Sequence, residues 1–349
     1  MNNNSYNLSK WITGGGPESD IVISSRIRVA RNIEKTPFPH QSSSEDLNKV
    51  IDLVNKTVDK DNKFDLDYID MNKLKKVDKN VLVEKHLISP PYANSDHQRG
   101  IFLNKNEDIS IMINEEDHFR VQILKPGLQL DECWKIADNI DDFFEENINF
   151  AFSKKWGYLS ACPTNMGTGL RSSVMVHLPA LNITNNIEKM LGAVSQLGLA
   201  VRGLYGEGSN SAGNIYQISN QITLGQNEKD IIENLTSVTL QILEQEKQAR
   251  KRLLNENKNF LIDKIKRAYG TLKYAHMINN EEALELLSYL KLGIDLEIID
   301  NIKSGLLSKL MVLIRPAHIE KFFGEEINSE HRDIKRAKLI QKYLNTKEE

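Results

Sequence analysis

Two cysteines in 349 residues, Cys133 and Cys162, are too few for a disulfide framework, and neither has the spacing of a zinc site. Cys133 falls among apolar residues at helical spacing, Leu130, Trp134, Ala137, Ile140 and Phe144, and reads as a small core residue. Charge of one sign is also lacking: 45 Lys and Arg against 48 Asp and Glu leave a formal net charge of -3. No global field recruits nucleic acid or an anionic membrane, so phosphate binding has to come from local clusters. The basic run Lys247, Arg250, Lys251 and Arg252 has no interleaved aromatic residue and reads as a solvated helix face. No window approaches the length of a membrane span, and the opening MNNNSYNLSK has no apolar core of a signal peptide, so a cytoplasmic location is expected. Also missing are a GxxxxGK[ST] phosphate loop and the HRD and DFG motifs of eukaryotic-type protein kinases.

What is present centres on residues 202–225, RGLYGEGSNSAGNIYQISNQITLG. Gly203 and Gly206 let the backbone come close to a ligand, while Arg202 and Glu207 present opposite charges to it. Ile215, Ile218, Ile222 and Leu224 among polar residues read as a half-buried strand. Upstream, DIVISSRIRVARN (20–32) alternates as a strand, with Ile21, Ile23, Ile27 and Val29 facing one way and Arg26 and Arg28 the other. Two arginines side by side on a sheet face repel each other unless an anion lies between them. A charged edge strand is the other reading.

Helices are expected over 44–58, 72–86, 131–147, 186–197 and 228–252, with Pro90 and Pro91 as helix stops. Residues 100–124 contain three short apolar runs separated by Asn, Asp and Glu, the pattern of an antiparallel meander. Its second turn carries Glu115, Glu116 and Asp117, which in isolation read as a wet turn. Tyr158 to Ser160 reads as a return to the sheet. Cys162, with arginines nearby in the sequence, is either a thiol of lowered pKa or a packed residue. From about residue 257 strand patterns vanish and leucine-rich helical periods take over.

Arginines 26, 28, 120, 171 and 202 each lie on or beside a predicted strand end, alongside the acids Glu116 and Glu207. Converging planar guanidinium groups suit a triphosphate, because they bind phosphate oxygens bidentately and spread transition-state charge. SSRIR (24–28), NEEDHFR (114–120), CPTNMGTGLRSS (162–173) and RGLYGE followed by YQISN (202–220) together resemble the motifs of the ATP:guanido phosphotransferases, the phosphagen kinases.

The resemblance implies an α+β fold, an antiparallel sheet flanked by helices and followed by an all-helical C-terminal region, with domains at 1–253 and 254–349. It implies an ATP site made of Ser24, Ser25, Arg26, Ile27, Arg28, His86, Arg120, Arg171, Ser172, Ser173, Val174, Met175, Arg202, Gly203, Leu204, Tyr205, Gly206 and Glu207, with His86 beside the base. Glu116 and Glu207 correspond to the carboxylates that grip the guanidinium acceptor, and Cys162 to the cysteine beside it. ATP would arrive with Mg2+ held through its phosphates and water, so no protein metal ligand is expected.

Kinases of small guanidino metabolites carry a helical domain before the SSRIR-type strand, for which this chain leaves no room, and Met175 replaces a residue that is often polar there. The expected acceptor is therefore an arginine side chain on another protein. HRDIKRA (331–337) places Arg332 and Arg336 four apart on one helix face with Asp333 adjacent. This pattern and the late helical region resemble the bacterial protein-arginine kinases, which implies an allosteric phosphoarginine pocket at Arg332, Asp333, Ile334, Lys335, Arg336 and Ala337. That resemblance further implies roles in stress response and protein quality control, a small activator protein, a Clp-type protease acting on the tagged products, and a dimer. Two rivals stay open, a lid-less kinase of free guanidino metabolites and an inactive adaptor that binds phosphoarginine.

Overall fold

The alternation at 20–32 becomes β1 (Val22–Arg31). A bulge between Val22 and Ser24 shifts the phase, so Val22 joins the core with Ile21, Ile27 and Val29, while Ile23 packs elsewhere. The computed structural model describes residues 8–203, 211–300, 302, 304–324 and 327–345. After β1 come α1 (Ser44–Lys60), β2 (Leu66–Asp70), α2 (Lys76–Glu84), α3 (Pro90–Asn94), β3 (Gly100–Asn104), β4 (Ile109–Ile113), β5 (Phe119–Pro126) and α4 (Leu130–Glu145). A two-stranded hairpin, β6 (Phe152–Ser153) and β7 (Gly157–Tyr158), precedes β8 (Leu170–His177), α5 (Pro179–Ile183), α6 (Ile187–Gln196), β9 (Leu199–Gly203) and β10 (Ile215–Asn220). The rest is helical: α7 (Glu228–Glu256), α8 (Lys258–Tyr274), α9 (Asn280–Asp295), α10 (Ser304–Leu313), α11 (Pro316–Phe323) and α12 (Ser329–Asn345).

Local signals explain several boundaries. Ser43 and Asp46 close a reciprocal capping box on α1, with Ser43 Oγ accepting from Asp46 N at 3.2 Å. Pro90 and Pro91 were expected to stop a helix. Instead α2 ends at Glu84 and Pro90 opens α3, where its missing N–H costs nothing and Ser89 Oγ caps Tyr92 N. Strand β10 ends at Asn220, so Ile222 and Leu224 are exposed rather than half-buried in a strand. Tyr158 belongs to the small hairpin and not to the main sheet.

Eight strands form one antiparallel sheet in the order β2-β3-β4-β5-β1-β8-β10-β9. Helices α4 and α7 cover one face, burying Ile27, Val121, Ile123, Val174, Ile218 and Cys133. Burial in that apolar layer pushes the Cys133 thiol up to about 12. On the other face, Met175 and Ile215 pack with the C-terminal helices, and Ile101, Leu103 and Met112 pack with Leu82 and Leu87 beside α2. The middle of that face is left polar.

The basic run on α7 is only partly solvated. Arg250 is buried, donating to Glu246 at 3.0 Å and lying within 3.6 Å of Asp295, which also binds Lys291. Glu246 accepts from the amides of Ala180 and Leu181. This buried, hydrogen-bonded ion network ties α7 to α5 and α9, a use of Arg250 that a local charge pattern does not reveal.

Candidate functional site

Register places the predicted arginines together. Across the sheet Arg26 stands opposite Ser173 and Leu124, Arg28 opposite Arg171 and Gln122, Ala30 opposite Arg120, and Arg202 opposite Gln217. Directly paired residues share a face, as do alternate residues along a strand. Arg26, Arg28, Arg120, Arg171 and Arg202 therefore all lie on the polar face, spread over β1, β5, β8 and β9.

The same register turns Ser25, Ile27, Ser172 and Val174 to the opposite face. Ile27 and Val174 are core residues, and Ser25 Oγ donates to Gly127 O at 2.8 Å. Their side chains do not reach the arginines, whereas Ser24, Ser173 and Met175 line a small recess with Arg26 and His86.

Few acids compensate this charge. Arg26 donates to Ser173 Oγ at 3.3 Å and to Gln217 Oε1 at 2.6 Å, both neutral groups. Arg120 donates to Glu115, which also accepts from Ser89 Oγ at 2.5 Å. The Nε atoms of Arg28 and Arg171 are buried without a hydrogen-bond partner among the described residues. Burial and the neighbouring Arg120 and Arg171 pull Arg26 down to about 10, and burial with Arg26, Arg120 and Arg171 holds Arg28 well below its ordinary value. Arg171 is lowered by burial, then by Arg202 and Arg120. A guanidinium does not give up its proton at neutral pH, so these shifts express a field of positive charge awaiting an anion. A cleft of about 260 Å³ opens over it, lined by Arg26, Arg28, Arg120, Gln122, Met112 and His86.

His86 closes a turn after α2 with φ 59° and meets Trp11 edge-on at 5.4 Å. Burial, then Arg26 and Arg315, depress it to about 3, and burial depresses His118 to about 4. Both stay neutral when folded and take a proton near pH 6.5 when unfolded. Stability is therefore expected to fall as pH drops from about 6.5 toward 3, because only the unfolded chain binds those protons. Buried Asp141, Glu246 and Asp295, whose carboxyl groups are raised mainly by burial, oppose that slope. The difference between the parent and His86→Asn, which tolerates the left-handed backbone, isolates the histidine. Urea melts from pH 7 to 4 should show a shallower decline for the variant.

The three acids of the β4–β5 turn separate. Glu115 serves Arg120, and Glu116 is exposed at the tip. Asp117 is buried, accepting from Asn32 Nδ2 at 2.6 Å, Ser160 Oγ at 2.9 Å and Ala161 N at 2.7 Å. Ser160 Oγ in turn accepts from Cys162 N at 3.2 Å, so Asp117 sets the Cys162 loop. Cys162 Sγ lies 3.0 Å from Thr164 Oγ1. Leu204, Tyr205, Gly206 and Glu207 lie outside the described residues, just beyond Gly203 at the end of β9.

Residues 47–249 match the family model described as the ATP:guanido phosphotransferase C-terminal catalytic domain, and 258–349 match that of the protein-arginine kinase McsB C-terminal domain. The chain is an ATP:guanido phosphotransferase. Within that family it is similar to proteins named protein-arginine kinase, 58% identical over 97% of both chains in Halothermothrix orenii. In Bacillus subtilis the identity is 48% over 97% of this chain and 93% of the other. Among solved structures, a lombricine kinase aligns with TM-score 0.58 and 25% identity over 70% of this chain and 72% of its own. The duplicated taurocyamine kinase of Schistosoma mansoni with bound transition-state-analogue components shares the fold, with TM-score 0.60 and 22% identity over 87% of this chain and 49% of that one. As an ATP:guanido phosphotransferase the chain is an enzyme that phosphorylates guanidino groups.

Several contributors escaped the sequence reading. Gln217 and Gln122 join the polar face; alternation with Arg120 along β5 is a signal for Gln122, whereas Gln217 faces Arg202 only through the pairing of β10 with β9. Glu115 and Asp117 needed the tertiary structure.

Of the C-terminal motif, Arg336 is buried, donating to Ile314 O at 2.8 Å, to Ile278 O at 2.9 Å and to Asp333. Arg332 donates to Glu320 on α11 at 2.8 Å. Lys335 Nζ stands 4.5 Å over the Phe323 ring, and Ala337 is in the core.

Proposed function

We propose that the protein transfers the γ-phosphoryl group of ATP to arginine side chains of other proteins. The observation that carries this reading is the face shared by Arg26, Arg28, Arg120, Arg171 and Arg202, where cationic charge is gathered and, among the described residues, only Arg120 has a carboxylate ion pair, to Glu115. Guanidinium forks on four strands hold the phosphate tail and spread the charge of a loose phosphoryl transition state. Among the described residues no cluster of His, Cys, Asp and Glu could hold a metal ion, and the cleft is cationic. That donor set fits Mg2+ carried on the nucleotide, where it neutralises phosphate charge.

On the acceptor side, Glu116 and Glu207 orient the arginine guanidinium and receive its proton as the N–P bond forms and the bond from phosphorus to the ADP oxygen breaks. Cys162 lines the acceptor. Gly157 and Gly167 admit close backbone contact between the hairpin, the Cys162 loop and Thr223 with Leu224, where a Cβ on Gly167 would lie 2.6 Å from Thr223 O. The exposed Phe152, Trp156, Ile222 and Leu224 border that loop. A polypeptide segment can cover such a rim and a free amino acid cannot, which favours a protein acceptor over the metabolite reading.

By the family tie, phosphorylated products go to a Clp-type protease in stress response and quality control, a small activator protein stimulates the enzyme, and the enzyme is a cytoplasmic dimer. The Arg332 to Ala337 segment would be its allosteric phosphoarginine pocket.

The test is incubation with Mg-ATP and unfolded casein, followed by detection of acid-labile phosphate on arginine. Phosphorylation of free arginine alone would transfer the reading to a metabolite kinase. Glu116→Gln is expected to lower kcat about 10²-fold while the KM for ATP moves less than about threefold. Steady-state assays with varied ATP check it.

A further inference from the structure

Arg315 sits between α10 and α11, in the C-terminal helical region, yet it lines the same cleft as Arg26, Arg28, His86 and Arg120. It also lines a second groove of about 840 Å³ between α2 and α11, whose walls carry both signs of charge, Lys75, Lys76 and Arg332 with Asp78, Glu84 and Glu320. Its backbone is fixed from both sides. Ile314 O accepts from buried Arg336 at 2.8 Å, and Arg315 N donates to Val312 O at 3.1 Å. Immediately after it, the Glu84 carboxylate accepts from Ala317 N at 2.8 Å, from His318 N at 2.9 Å and from His318 Nδ1 at 2.6 Å. Glu84 lies two residues before His86, so the cap of α11 and the wall of the cleft are one piece of chain.

Arg315 adds a further guanidinium to the lining of the cleft that holds Arg26, Arg28 and Arg120, where a bound phosphate tail would meet it together with them. Its charge also contributes to depressing His86, which places it within electrostatic reach of the cleft.

We propose that Arg315 is a sixth arginine of the nucleotide site, supplied by the C-terminal helices and contacting phosphate oxygens of the bound nucleotide. This rests on the reading of the cleft as the ATP site. Arg336 and Glu84 are positioning residues for it, and nucleotide affinity becomes a property of both regions of the chain rather than of the sheet alone.

The test is calorimetric binding of Mg-ADP to the full chain. Arg315→Ala is expected to weaken ADP about tenfold or more, the usual worth of a charge-assisted contact, with Arg315→Lys intermediate because it keeps charge and loses the fork. The KM for ATP should rise in step while the KM for a protein substrate stays put, a split that general loosening would not produce. Melts without ligand establish that the variants fold, and Arg315→Gln stands in if the alanine variant does not. ADP binding within about twofold of the parent, with Arg26→Ala losing it, overturns the role of Arg315 and leaves the cleft reading standing. If Arg26→Ala also binds normally, the cleft is not the nucleotide site and both ideas fall.

Discussion

Arg28→Ala is expected to lower kcat by about 10³-fold or more and, in the same protein, to raise the melting temperature. Arg28 is central in the cluster, paired in register with Arg171 on one side and Gln122 on the other. Its Nε finds no partner among the described residues, and burial with Arg26, Arg120 and Arg171 works against its charge. Without a ligand that arrangement costs stability, so truncation relieves repulsion worth on the order of 1 kcal/mol. On the proposed reading, the same guanidinium neutralises phosphate oxygens of bound ATP, where one arginine is worth about 10³ to 10⁵ in rate. Arg28→Lys keeps the charge without the planar fork and should recover only part of the rate. Turnover measured with saturating ATP, beside calorimetric melts of the apo proteins, checks both halves. A variant with kcat within about tenfold of the parent and a lower melting temperature would show that Arg28 serves the fold.

How far the site was legible depends on the range of the interactions. Arg26 and Arg28 on one face follow from the two-residue period of a strand, which is local. Their meeting with Arg120, Arg171 and Arg202 depends on β1 lying between β5 and β8, strands that begin at Phe119 and Leu170. Such pairing is set by the whole core; here the family motifs supplied the expectation that periodicity could not. The bulge at Val22 and Ser24 shows the limit of alternation, because one inserted residue sent Ile23 away from Ile21 and Ile27. Charge patterns failed for a similar reason. Arg250 and Arg336 look like solvated helix cations in sequence, but their partners, Asp295 at the end of α9 for one and Ile314 O in the turn after α10 for the other, come from elsewhere in the chain. Arg315 carries no local signal at all, since only the packing of α11 against α2 brings it to the cleft.

The acidic turn gives the sharpest contrast between neighbours. Asp117→Ala is expected to destabilise the protein by about 3–4 kcal/mol, whereas Glu116→Gln one residue away should change stability by less than about 0.5 kcal/mol. Glu116 is exposed at the tip of the turn, and the role proposed for it is in turnover. Asp117 is 3% exposed, and its loss strands the donors of Asn32, Ser160 and Ala161, each costing about 1–3 kcal/mol before the site relaxes. The damage spreads, because Asn32 Oδ1 also accepts from His118 N at 3.0 Å and joins the end of β1 to the start of β5. Ser160 released from Asp117 no longer fixes Cys162 N, so the Cys162 loop loosens together with the fold. Asp117→Asn keeps the shape and one acceptor oxygen, and should cost about half as much while still impairing the KM for a protein substrate more than that for ATP. Urea melts rank the three variants. Equal midpoints for Asp117→Ala and the parent would mean that the turn is held by its backbone alone, and Cys162 would then owe its position to the glycine contacts at Gly157 and Gly167.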